Sequence, residues 1–125
     1  MQYEEFIERV QQHGGLTSFA EAEAATQATL ATLGEYLTEG EGPDLAAQLP
    51  QGLGEQLVQQ PPERSQIFSY NDFIQVIGEN EGVGFEKAED HARAVMVVLE
   101  EAVTKGEMED VRRQFPGEFD PLFGE

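Results

Sequence analysis

One sequence pattern occurs twice along the chain, and this duplication restricts the possible folds more than any other feature. Residues 19–57 align on residues 85–123 at a constant offset of 66 positions. The identical pairs are Phe19/Phe85, Ala22/Ala88, Glu23/Glu89, Ala28/Ala94, Leu33/Leu99, Glu35/Glu101, Thr38/Thr104, Gly40/Gly106, Glu41/Glu107, Asp44/Asp110, Gln48/Gln114 and Pro50/Pro116. Upstream, Tyr3, Phe6 and Ile7 recur as Tyr70, Phe73 and Ile74 at an offset of 67. We therefore expect a tandem repeat whose halves are related by an internal near-twofold axis.

The length of 125 residues suits one compact domain. Each copy has about 60 residues, a size at which a separate hydrophobic core supplies little stability. We therefore predict one domain at 1–125 in which both halves share a core. Repeat one spans 1–58, a polar linker with a proline pair spans 59–68, and repeat two spans 69–125.

The composition excludes several classes of function. Without cysteine the chain has no disulfide, thiolate metal site or cysteine nucleophile. The formal net charge is −18, and no lysine or arginine occurs between Val10 and Glu63, so nucleic acid and anionic membranes are poor partners. This charge either keeps the protein soluble or steers it towards a basic partner or multivalent cations. No secretory signal or membrane-spanning run is present, and we expect a cytoplasmic protein.

Each copy begins with the apolar stripe of an amphipathic helix, spaced i, i+3, i+4 and i+7. The stripe consists of Tyr3, Phe6, Ile7 and Val10 in the first copy and of Tyr70, Phe73, Ile74 and Ile77 in the second. Ser69 with Asp72 predicts an N-cap and a favourable first-turn charge in the second copy. Glycines are expected to end these helices. They are Gly14 and Gly15 in the first copy and Gly78 and Gly82 in the second.

A long core helix is predicted next in each copy. Its core-facing residues are Ala22, Thr26, Leu30, Leu33 and Leu37 in the first copy and Ala88, Ala92, Val95, Leu99 and Val103 in the second. Ser18 with Glu21 is typical of a capping box at the start of the first long helix. The first helix is rich in alanine and the second in larger side chains, a combination that favours interdigitation if the two helices touch.

Short helices are predicted after the long ones. Gly40 and Gly106 are expected to stop the long helices, and Asp44 and Asp110 are expected near the starts of the short ones. Proline then ends each short helix, and an i, i+4 apolar pair predicts a last helical turn. These residues are Pro50 with Leu53/Leu57 and Pro116 with Phe119/Phe123. Pro121 is expected to make the second of these turns irregular.

Two segments carry a family resemblance. They are Thr-Glu-Gly-Glu-Gly-Pro-Asp-Leu-Ala-Ala-Gln-Leu-Pro at 38–50 and the related stretch 92–116, which ends in Val-Arg-Arg-Gln-Phe-Pro. With the opening Tyr-x-x-Phe-Ile helix and the closing Leu-Phe-Gly at 122–124, the chain resembles the bacterial family called domain of unknown function 2267. The resemblance implies a small all-helical domain. It brings no activity, cofactor or catalytic residue.

The sequence offers few groups for catalysis or metal binding. His13 and His91 are the two histidines, and neither has a histidine at the aligned position of the other copy, so we interpret both as structural. Acidic residues beside glycines could supply oxygen ligands for a cation. They are Glu39, Glu41 and Asp44 in one loop and Glu79, Asn80 and Glu81 in another. Neither loop has the spacing of an EF-hand, and no phosphate-binding glycine motif is present, so no metal or cofactor is predicted.

The strongest remaining candidates are three polar positions that recur in both copies. They are Glu35, Asp44 and Gln48 in the first copy and Glu101, Asp110 and Gln114 in the second. If the two short helices lie side by side, these six residues could form a twofold polar binding patch, with Arg112 and Arg113 nearby. The simpler interpretation is that the aspartates cap helix starts and the glutamines hydrogen-bond a neighbouring helix end.

These observations favour an all-α, pseudo-symmetric bundle of two helical repeats that acts as a non-enzymatic protein interaction or scaffold module. We expect a monomer or weak homodimer with an unidentified protein partner. The alternative is a sensing domain that binds a ligand in the cleft between repeats or a divalent cation at the acidic loops. An enzyme would require a buried carboxylate of raised pKa within a defined pocket.

Overall fold

The computed structural model describes residues 1–37, 41–58 and 69–124, and these residues form helices and turns without a β-strand. The helices are α1 Tyr3–Gly14, α2 Phe19–Tyr36, α3 Glu41–Ala46, α4 Gly54–Val58, α5 Tyr70–Glu81, α6 Phe85–Ala102, α7 Lys105–Arg112 and a final 3-10 helix at Gly117–Phe123. The all-helical prediction is therefore confirmed. The predicted linker at 59–68 and the predicted helix stop at Gly40 lie outside the described residues.

The amphipathic stripes of α1 and α5 are buried as predicted. Phe6, Ile7 and Val10 of α1 and their counterparts on α5 have no exposed surface. Ser69 caps α5, because its hydroxyl accepts a hydrogen bond from the amide of Asp72. The helix ends at Gly82, whose φ of 81° is a left-handed conformation that glycine adopts without strain.

Gly78 does not end α5, contrary to expectation, but lies inside the helix. A Cβ atom at this position would be 2.8 Å from the carbonyl oxygen of Val83. That distance is too short for a side chain, so glycine allows the chain that follows α5 to fold back against the helix. The requirement at Gly78 is therefore steric.

α2 is the central helix of the fold and contacts α1, α4, α5 and α6. The core-facing residues predicted for α2 and α6 are all buried, and the two long helices do touch. The hydroxyls of Thr26 and Thr32 are also buried and donate to the carbonyls of Ala22 and Ala28, each at 2.8 Å. α2 is covered on most sides, which explains why its small side chains follow the whole helix rather than one stripe.

The two halves of the chain pack across one another. α1 contacts both α6 and α2, and α5 contacts both α2 and α6, so the first helix of each half packs against the long helices of both halves. Buried apolar side chains from both halves form one hydrophobic cluster. At one end of this cluster Tyr36 stacks on Phe115 with ring centroids 4.4 Å apart, and Phe119 lies 5.1 Å from Tyr36.

The end of α6 differs from the prediction. α6 ends at Ala102, and Gly106 lies within α7 rather than stopping the long helix. Thr104 provides the physical reason, because its hydroxyl accepts a hydrogen bond from the Glu107 amide and starts α7 there. Asp110 is consequently close to the end of α7, and the prediction that it lies near the helix start is wrong.

Candidate functional site

The six polar residues predicted from the repeat alignment lie on or near four helices. Gln48 follows α3, and its Oε1 accepts a hydrogen bond from the backbone N–H of Thr104 at 2.8 Å. This is the helix-end contact that the simpler interpretation anticipates. Asp44 is exposed on α3, which packs beside α7, and Asp110 of α7 accepts a hydrogen bond from Arg113 at 2.7 Å. Gln114 follows α7 and is half-buried.

The two glutamates of this set have different surroundings. Glu101 on α6 faces α1, where Arg9 Nη1 donates to its Oε1 at 3.1 Å and His13 Nε2 lies 3.4 Å from its Oε2. Glu35 on α2 is half-buried, and burial raises its pKa. Glu101 therefore joins the two halves by its ion pair with Arg9. Glu35 is instead a partly desolvated carboxylate.

A cleft of about 340 Å³ opens between the two halves, where α1 ends beside α6 and the C-terminal segment. It is lined by His13, Gly14, Asp90, Arg93, Ala94, Met96, Val97, Glu100, Leu122, Phe123 and Gly124. Val97 is 40% exposed, although valine is usually buried. Gly14 lets α1 approach α6 closely, because a Cβ there would be 3.1 Å from the Cβ of Ala94. The cleft thus combines an accessible apolar surface with charged groups.

The charges of the cleft come mainly from one exposed stripe of α6. Asp90, Arg93 and Glu100 lie on this stripe with Val97 between them. Within the described part of the chain, no carboxylate oxygen lies within ion-pair distance of the Arg93 guanidinium. The cleft can therefore offer both a free cation and two carboxylates to a ligand. It holds no cysteine, serine or threonine nucleophile.

The sequence contained a signal for this cleft that our alignment of identities did not use. At the offset of 66, the charged residues Asp90, Arg93 and Glu100 align with Ala24, Gln27 and Gly34. At these three positions only α6 carries charged residues. A comparison of the differences between the copies would have drawn attention to the outer face of α6.

A second polar cluster is buried where α5 ends. His91 Nδ1 lies 2.5 Å from Glu81 Oε2, and both side chains are only 3% exposed. Burial raises the pKa of Glu81, and the nearby His91 opposes this shift. The aligned residues of the first copy are Gly14 and Ala25, so both members of the pair differ between the copies. The sequence pattern did not predict a contact between these two residues.

This buried pair limits two of the functions considered from the sequence. A carboxylate with a raised pKa is present, but substrate cannot reach two side chains that are almost fully enclosed. The Glu81 side chain is buried, so it is not available as a ligand in the predicted acidic loop. Asn80 beside it donates to Thr32 Oγ1 at 3.5 Å. Glu39 of the other acidic loop lies outside the described residues. In the part of the chain that the structure describes, no three potential metal ligands gather at one point.

Comparisons with known proteins identify a family but no activity. No helix in the described ranges is long and apolar enough to cross a lipid bilayer. A search of curated proteins finds no match. The family model described as "Uncharacterized conserved protein (DUF2267)" matches residues 3–122. Since the match covers nearly the whole chain, the protein belongs to the DUF2267 family.

Proposed function

We propose that the chain is a single domain of two tandem repeats that acts as a non-enzymatic protein interaction module. The repeat interpretation is supported by helices of equal length, because α1 and α5 have 12 residues each and α2 and α6 have 18. A repeated hydrogen bond also supports it. Tyr3 donates to Glu23 and Tyr70 donates to Glu89, both at 2.6 Å and at aligned positions.

The cleft between α1, α6 and the C-terminal segment is the observation that carries the interaction proposal. The partner we propose is a basic protein segment that carries an apolar side chain. Its apolar side chain would cover Val97 and the half-buried Phe123, and its cationic groups would meet Asp90 and Glu100. Arg93 would take a carboxylate or a backbone carbonyl of the same segment. The chain's net charge of −18 would speed the encounter with such a partner.

Site-specific cross-linking in cells would test this proposal. A photoreactive residue at position 97 should capture a partner that contains a lysine- or arginine-rich segment, whereas one at Glu109 on α7 should not. A synthetic peptide of the captured segment should bind the purified protein less tightly as salt rises. Glu100→Lys should weaken this binding at least tenfold, and Glu109→Lys should weaken it much less. Equal capture from both positions, or equal effects of both charge reversals, would contradict the proposal.

The second candidate function is a small-molecule sensor that uses the same cleft. The cleft volume lies at the lower end of ligand sites, which range from about 300 to 1,000 Å³. Amide NMR titration with a metabolite panel would favour this function if one compound gave saturable shifts at Val97 and Leu122. In that case, addition of the synthetic peptide should give no shifts at these two residues. In either case we expect a cytoplasmic protein that is a monomer or weak homodimer. Sedimentation of the full chain would check the oligomeric state.

A further inference from the structure

The buried contact between Glu81 and His91 has the geometry of a proton-holding pair. Glu81 is the last residue of α5, a position where the helix dipole disfavours negative charge. Its Oε2 contacts His91 Nδ1, whereas its Oε1 is buried without a hydrogen-bond partner in the described structure. A carboxylate that is buried with one partner is costly if that partner is uncharged. The site therefore favours a proton between Glu81 Oε2 and His91 Nδ1.

The other ring nitrogen of His91 faces a carboxylate from the first half of the chain. Nε2 lies 3.9 Å from Oε2 of Glu21, which is in the first turn of α2. The same oxygen lies 4.0 Å from the ammonium of Lys87 on α6. Glu21 keeps its other oxygen for the amide and hydroxyl of Thr17, each at 2.9 Å, and these hydrogen bonds lower its pKa. Glu21 is thus held as an anion beside the imidazole.

The charged groups that act on Glu81 are His91, Glu21 and Lys87. Other charged groups near α6 make contacts away from this pair, as Glu23 of α2 does with Tyr3. On α1, Arg9 and His13 contact Glu101, ten positions beyond His91 along α6. In the 3-10 helix, Asp120 accepts a hydrogen bond from Arg112. His91 is therefore flanked by one carboxylate at each ring nitrogen, and Lys87 is the cation that shares Glu21 with it.

We propose that Glu81 and His91 hold one proton between them throughout the neutral pH range, and that the resulting positive charge on His91 attaches the first turn of α2 to α6 through Glu21. The attraction to Glu21 exists only while the imidazole is protonated. Glu21 belongs to the first half and Glu81 and His91 to the second. One buried proton therefore controls how firmly the halves are joined at this end, and a rise in pH weakens the junction.

Histidine NMR on the full chain would test the proton-holding pair, because the chain has only two histidines. The Nδ1 proton of His91 should give a strongly downfield, slowly exchanging signal between about pH 6 and pH 8. His13 is 40% exposed at its side chain and serves as the internal reference, whose ring protons should exchange rapidly. A ring signal from His91 that titrates in parallel with that of His13 would overturn the proposal.

Two substitutions separate the proton from the junction. Glu81→Gln should abolish the His91 signal in the neutral range. It should also increase amide exchange of Ala22, which donates to the Ser18 carbonyl at 3.1 Å, by about tenfold relative to amides elsewhere. Glu21→Gln should leave the His91 signal in place but produce the same faster exchange at Ala22. Glutamine retains an acceptor for Thr17, so this variant removes the charge alone.

Glu86→Gln provides the matched control, because Glu86 is exposed in the first turn of α6 and has no part in the pair. It should change neither the His91 signal nor Ala22 exchange. If Glu81→Gln fails to fold, Glu21→Gln still decides the question. In the unmodified protein, protection of Ala22 should fall by more than intrinsic exchange accounts for only above the neutral range, at the pH where the His91 signal is lost. The proposal is wrong if Glu21→Gln shows the same excess pH dependence.

Discussion

Replacement of Thr29 by valine should stabilise the protein, because the structure leaves the Thr29 hydroxyl buried without a partner. The side chain has no exposed surface, and no hydrogen-bonding atom of the described residues is in reach of its Oγ1. Such a hydroxyl costs about 1–3 kcal/mol. Valine has almost the same shape and a similar helix propensity, so little is lost in exchange. We expect Thr29→Val to raise the free energy of unfolding by about 1–2 kcal/mol.

Thr26→Val is the matched control for this experiment. Thr26 lies on the same helix and is equally buried, but its hydroxyl donates to the Ala22 carbonyl at 2.8 Å. The substitution should therefore leave stability unchanged or lower it by up to about 1 kcal/mol. Urea unfolding followed by circular dichroism suits both variants, since the chain has no tryptophan. If the unfolding free energy depends on urea concentration equally in the variants and the unmodified protein, the substitutions leave the denatured state unchanged.

The result that would refute the reasoning is a Thr29→Val protein no more stable than the Thr26→Val protein. That outcome would mean that the Thr29 hydroxyl is satisfied, for example by an internal water molecule. The expected gain corresponds to an increase of about 3–6 °C in the melting midpoint for a domain of this size. At the aligned position in the second copy the residue is Val95, which is also fully buried, so a valine side chain suits the corresponding helical environment there.

Three further predictions concern particular backbone and charge contacts. Gly78→Ala should destabilise the protein by about 1–3 kcal/mol, because its Cβ would meet the Val83 carbonyl. Gly106 in α7 has open space around it, so Gly106→Ala should stabilise the protein by about 0.5–1 kcal/mol. Urea unfolding would measure both changes. Thr104→Ala and Gln48→Ala should each cost about 1 kcal/mol, and their double-mutant cycle should be non-additive because both side chains act at the start of α7; additivity would contradict a shared role. The pKa of Glu35 is raised in the folded state, so the protein loses stability as pH rises through this folded-state pKa. Glu35→Gln should therefore be more stable than the unmodified protein at pH 7. The two proteins should be equally stable well below the ordinary glutamate pKa. Glu109→Gln on α7 controls for the general loss of one negative charge, and an equal gain from both variants would refute the role of burial.

The helices and their buried faces could be predicted because they depend on local patterns. Apolar spacing identified the stripes of α1 and α5, and the hydroxyl of Ser69 identified a helix start. The prediction for Gly106 and Asp110 was wrong for a local reason as well. Gly106 was predicted to stop the long helix, but a helix tolerates glycine in its first turn. The Thr104 hydroxyl instead satisfies a free amide and starts α7.

The same local patterns do not predict how the halves pack or where the candidate sites form. A repeat alignment indicates which residues face the core but leaves open whether α1 packs against its own long helix, that of the other half or both, as it does here. The cleft depends on that choice, since its walls come from α1 and α6. The Glu81–His91 pair depends on where α5 ends relative to α6. Both features also lie at positions where the copies differ, whereas the prediction of six binding residues relied on positions where they agree.

The two long helices show why the cleft forms on α6. The outer stripe of α6 is exposed along its length and consists of Glu86, Asp90, Arg93, Val97 and Glu100. The aligned residues on α2 are Ala20, Ala24, Gln27, Ala31 and Gly34, and the last of them is buried. Ala20, Ala24 and Gln27 remain exposed, but the small residues Ala31 and Gly34 let neighbouring helices close over the second half of α2. Charged side chains would make the same closure costly on α6, because they would lose water without gaining partners. The difference in side-chain size and charge between aligned positions therefore keeps one groove open, and this groove is the surface that a partner can reach.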